Sequence, residues 1–178
     1  MLLFTDRSIW TMVHGIVLGG AALMGLAAAL FAMGTMRRAE GLGAATPSQS
    51  RPLAQLTMFI AAALWLGVIA GTYIVFPLYR ATPPEGTTDL SQYPRFLIAS
   101  NPETVWVHAF GMEIKEHMPW IASMLATAVA FVAGRYRSAL VGDPQVRRMA
   151  MTLLAICFML AAFAALMGIF AARVAPVE

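Results

Sequence analysis

Charge is scarce in this chain. Asp, Glu, Lys and Arg make up only 12% of its 178 residues, while 60% are hydrophobic; an ordinary soluble domain carries roughly 25% charged residues. That balance excludes a soluble globular domain. A single cysteine, Cys157, excludes an internal disulfide or a CxxC site, and its place within an apolar run reads as a small packed residue. Three of the four long apolar runs contain no Asp or Glu, which argues against the repeated ExxH helices of a di-metal bundle. There is no internal repeat and no mid-membrane Gly/Pro break. A transporter or channel is therefore disfavoured. The first run is too long for a cleaved signal, and Asp6 cancels Arg7 ahead of it.

What is present is four continuous runs rich in Ala, Leu and Met: 9–36, 53–76, about 102–134 and 144–173. About 20 apolar residues cross the hydrocarbon layer as a helix, and none of the runs shows the alternation of a barrel strand. The expected fold is all-α: a polytopic membrane protein of one domain, four transmembrane helices in an up-down bundle. Arg37, Arg38, Arg51, Arg135, Arg137, Arg147 and Arg148 fall in the first and third connections, against Arg7, Arg80, Arg95, Lys115 and Arg173 on the other side. Seven basic residues against five place those connections in the cytoplasm by the positive-inside rule, and both termini on the outer, periplasmic side. Eleven arginines against one lysine suggest a GC-rich bacterial genome, hence the bacterial inner membrane. The net charge of +3 is then explained by topology, and nucleic acid is not expected as a partner.

Local signals mark the boundaries. Ser8 is a suitable N-cap for the first helix, and Gly15 and Gly19 form a GxxxG pair suited to close packing. Segment 37–52 reads as a flexible loop, and Pro77 is expected to end the second helix, which carries a further GxxxG at Gly67 and Gly71. The outer loop 77–101 includes an interfacial stretch, LSQYPRFLIAS. Asn101 and Pro102 read as N-cap and N1 of the third helix, kinked near Pro119; Asp143 and Pro144 open the fourth. Along that last helix Ala161, Ala165, Gly168 and Ala172 make a small-residue stripe suited to packing.

The stretch Asn101 to Gly134 gathers two histidines, three glutamates and the only lysine at the entrance of the third helix. Ionisable groups at membrane depth point to function. At 100° per residue Glu113, Glu116 and His117 share a face, and His108 lies about 180° from His117. Counted from the cytoplasmic ends at 1.5 Å per residue, His117, His14 and His108 lie at about 26, 33 and 39 Å, near the outer boundary.

Three readings are open. In the plainest, the charges are interfacial, snorkel to water, and there is no site. In the second, His14 and His117 are axial ligands of a haem b, with His108 as a substitute ligand and Lys115 or Arg95 paired to propionates. Gly15 and Gly111 would then give room, and Trp10, Trp106, Phe110 and Trp120 would wall it. In the third, Glu113, Glu116 and His117 with His14 bind a non-haem metal or form the proton-carrying rim of a quinone pocket. The layout, without any shared motif, is similar in outline to membrane-anchor cytochrome b subunits of respiratory complexes. The expectation is a membrane subunit of an electron-transfer complex, respiratory or photosynthetic, carrying or bordering a haem b or quinone site near the outer face. It would work beside other membrane subunits and would not be an enzyme alone. The rival is a redox-inert structural subunit of a larger assembly.

Overall fold

A computed structural model describes residues 5–41 and 50–176, with side chains placed outside 37–41. The helices in chain order are α1 (Asp6–Met36), α2 (Ser50–Tyr79), α3 (Pro94–Ala99), α4 (Val107–Arg135), α5 (Arg137–Gly142) and α6 (Pro144–Val174). α1, α2, α4 and α6 are each long and apolar enough to cross a membrane, and the described residues contain no strand. Helices of 29–31 residues measure about 44–47 Å and outrun a hydrocarbon layer of about 30 Å, so their ends project from it. Met24, Phe31, Phe131 and Met159 point outward. Large apolar surface of this kind is a liability in water and is what lipid requires. The chain is a multi-pass membrane protein.

Several boundaries differ from the sequence reading. The N-cap of α1 is Thr5 rather than Ser8: the Thr5 hydroxyl accepts from the Ser8 amide at 3.2 Å, and the Ser8 hydroxyl donates to the Thr5 carbonyl at 2.8 Å. α2 begins at Ser50, with Pro52 tolerated in a first turn whose amides need no partner. It also runs past Pro77 to Tyr79, because the preceding Gly71–Val75 turn is π-helical. A wider i→i+5 turn changes the hydrogen-bond register just where the proline lacks a donor. Asn101 caps one turn only, its side chain accepting from the Glu103 amide at 2.9 Å, and α4 proper starts at Val107. α4 then continues unbroken through Pro119. The central part of the expected cytoplasmic loop, 42–49, lies outside the described residues.

α2 packs on α1 and α4, and α6 packs on the same two, so α1 and α4 face each other only across the bundle. The main apolar core runs from Met36, Leu53, Ala133 and Ala150 to Ala22, Leu64, Ala122 and Cys157. A second, small cluster of Ile98, Val107 and Ala175 closes the far end with Tyr79 and Leu97 against it. Polar ties are few: the Trp65 indole donates to Thr127 Oγ1 at 2.9 Å, and Cys157 Sγ donates to the Ala122 carbonyl at 3.4 Å. Arg147, 1% exposed, donates to the carbonyls of Leu140 at 3.5 Å and Val141 at 2.7 Å, fastening α5 to α6.

The small-residue contacts are not all where spacing suggested. A Cβ added at Gly15 would meet nothing within 4 Å, and one at Gly19 only a carbonyl of its own helix. The tight approach of α1 is Gly25, where an added Cβ would lie 2.8 Å from Ile60 Cγ1. On α6, Ala165 and Ala172 face outward, and the bundle face is instead Ala150, Leu154, Cys157, Ala164 and Met167. Both shifts arise because spacing gives a stripe's period but not its rotation toward a neighbour. Gly25→Val should therefore force α1 from α2 and lower stability by about 1–3 kcal/mol, as overpacking does. A denaturing-detergent titration of purified protein reads this, and an unchanged midpoint would mean the contact is not tight.

Candidate functional site at the His14 end

Between the two apolar clusters lies a layer with a different composition. Three of the four spanning helices become π-helical at this end: Val13–Gly19 in α1, Gly71–Val75 in α2 and Val107–Gly111 in α4. Isolated π turns recur at functional sites because the wider turn redirects side chains and loosens backbone pairing. His14 sits in the first, Gly71 in the second and His108 in the third.

The imidazole of His14 lies over Gly71, where an added Cβ would approach its Cε1 to 2.8 Å and its Nδ1 to 3.3 Å. Only glycine leaves that seat open. The Gly67 carbonyl lies beside the ring, yet the buried Nδ1 has no hydrogen-bond partner. Lys115 is within electrostatic reach of the same ring. Its side chain is half-buried, its ammonium stands 3.5 Å from where a Gly168 Cβ would be, and it makes no hydrogen bond or ion pair with any described residue. Four helices thus supply this place: His14 from α1, the Gly67 and Gly71 backbone from α2, Lys115 from α4 and Gly168 from α6.

The remaining candidates are elsewhere. The ring of His117 is turned outward: Nδ1 pairs with the Glu113 carbonyl of its own helix at 2.8 Å and lies 3.6 Å from the Glu113 carboxylate, the two side chains being 69% and 67% exposed. It is not brought to His14. Glu116 is exposed as well. His108 binds the Tyr79 hydroxyl through Nδ1 at 2.9 Å, with Arg95 and Glu116 within electrostatic reach of that tyrosine. Arg95 stacks over Phe96, 5.8 Å from the ring centre.

This division bears on the cofactor readings. Two axial imidazoles must converge on one iron, whereas α1 and α4 stand across the bundle and His117 faces away from it. Gly111 is filled by Met167 Sδ, 3.4 Å from an added Cβ, and Trp10, Trp106, Phe110 and Trp120 lie on the outer surface. A bis-histidine haem from His14 and His117 does not fit the residues as placed. For the non-haem metal, no three His, Cys, Asp or Glu side chains gather among the described residues.

Sequence reasoning overlooked Tyr79, and read Gly67 and Gly71 as helix packing alone. One signal was available. His108 and Lys115 are seven residues apart, two turns, and so share a face that His117 does not. The π turns carry no comparable signature. The chain matches no family model, no curated protein and no solved structure.

An ammonium without a counter-charge inside an apolar bundle is destabilising. Lys115→Met should raise the unfolding midpoint by on the order of 1–3 kcal/mol. A lowered midpoint in the same detergent titration would show that the ammonium is already satisfied.

Proposed function

We propose that the chain is a membrane subunit of an electron-transfer complex, bordering a quinone site at the His14 end. We assign that end to the outer face of a bacterial plasma membrane, in an up-down bundle with both termini outside. Support for the orientation comes from Arg51, Arg135, Arg137, Arg147 and Arg148 at the opposite end. The observation that carries the reading is the pairing of an unpartnered, buried His14 Nδ1 with an unpaired Lys115 ammonium.

Two polar groups left open in an apolar setting call for a ligand that is itself apolar except for oxygen acceptors. A quinone has that chemistry, and when bound it supplies two-electron, two-proton carrier capacity. Lys115 would donate from its ammonium to one carbonyl oxygen. His14 would hold the other through Nδ1, with Gly71 fixing the ring's position and the Gly67 carbonyl beside it. Tyr79 and His108 lie between this layer and the outer loop and would orient groups at its mouth. Other membrane subunits would complete the site and deliver the electrons.

A photoreactive azido-quinone applied to the purified protein tests this. Saturable labelling is expected near α1 and α4, with His14→Ala and Lys115→Met each weakening it by about tenfold or more, the scale of a lost charge-assisted hydrogen bond, and His117→Ala leaving it intact. Equal labelling in all variants would leave the redox-inert structural subunit as the better account. A b-type band in the reduced-minus-oxidised spectrum, abolished by His14→Ala or His117→Ala, would restore the haem.

A further inference from the structure

The opposite end of the bundle carries a feature that the quinone reading does not use. A notch of about 480 Å³ opens between the start of α2, the end of α4 and α5, lined by Ser50, Gly134, Arg135, Arg137, Ser138 and Val141, with Gly142 at its edge. Its chemistry is of one sign. Arg135 and Arg137 are both exposed, and Ser50 and Ser138 add hydroxyl donors. Behind the wall, the buried guanidinium of Arg147 donates to the Val141 carbonyl at 2.7 Å and so fixes that side of the notch. Among the described residues the nearby acid is Asp143, which caps α6 by accepting from the Gln145 amide at 2.8 Å and the Val146 amide at 3.3 Å. Gly134 and Gly142 leave the floor open, since an added Cβ at either would meet nothing within 4 Å.

We infer that this notch binds the phosphate headgroup of an anionic phospholipid. Guanidinium forks and hydroxyls are the groups that hold a phosphate, and a basic pocket between spanning helices at the membrane surface is where lipid headgroups dock. Location selects the lipid over free phosphate. The notch lies at the ends of the two spanning helices α2 and α4, with outward-facing apolar residues such as Phe131 below it to receive acyl chains.

Native mass spectrometry of the full chain in mild detergent, with phosphatidylglycerol, cardiolipin, phosphatidylcholine and inorganic phosphate as separate probes, tests the assignment. An anionic lipid should be retained over phosphatidylcholine, and the double variant Arg135→Gln, Arg137→Gln should lose about thirtyfold of that preference, the scale of two basic side chains near an anionic surface. Gly142→Leu should lose it by filling the notch with all charges kept, and Arg148→Gln, outside the notch, should keep it. Equal retention of phosphatidylcholine, or full anionic preference in both the double variant and Gly142→Leu, would overturn the site. Inorganic phosphate retained where the lipids are not would overturn the lipid and leave a phosphate site. Neither outcome bears on His14 or Lys115, which lie at the other end.

Discussion

An ammonium group inside a helical bundle must be neutralised, hydrated or met by something else, and Lys115 is met by nothing among the described residues. The organisation of this protein at the His14 end is set by that constraint. The main core stops at Ala22, Leu64, Ala122 and Cys157, and the small cluster about Ile98, Val107 and Ala175 closes the end again. The two polar groups occupy the layer between. Gly71 seats the imidazole where a side chain would displace it, and Gly168 lies beside the ammonium. Apolar packing on either side keeps the layer assembled although its own polar groups are unsatisfied, an arrangement typical of sites that trade stability for binding.

The π-helical turns fit the same picture. A regular helix directs each side chain by its position alone, whereas a π turn rotates the residues beyond it. Three such turns at one end, and none at the other among the described residues, concentrate irregular backbone where the polar groups are. At the opposite end the positive charges are instead on the surface or fastened to carbonyls, as Arg147 is. The bundle has two chemically distinct ends, one that leaves donors open toward its interior and one that presents guanidiniums to the membrane surface.

Much of the fold was legible in the sequence, because a run of about 20 apolar residues in a low-charge chain has few other solutions. That constraint alone yields the four spanning helices. Their ends were less legible: Thr5 outcompetes Ser8 as a cap, and a π turn carries α2 past Pro77, since register depends on backbone hydrogen bonds that composition does not report. Within the site, His14 and Lys115 could be selected as rare polar residues, but which of them face inward could not. Helical spacing separates Glu113, Glu116 and His117 from His108; it does not say which set meets the bundle. The contacts settle it, turning His117 and Glu113 outward and Lys115 toward Gly168.

The central claim is that Lys115 holds its charge inside the bundle rather than extending to the aqueous boundary. As the chain's only lysine, it gives a single resonance when the side chain is labelled with 15N. Solid-state NMR of the labelled protein in lipid should show Lys115 Nζ dipolar-coupled to Gly168 Cα and to the His14 ring, with slow exchange against water. Couplings confined to water and lipid headgroups would contradict the account.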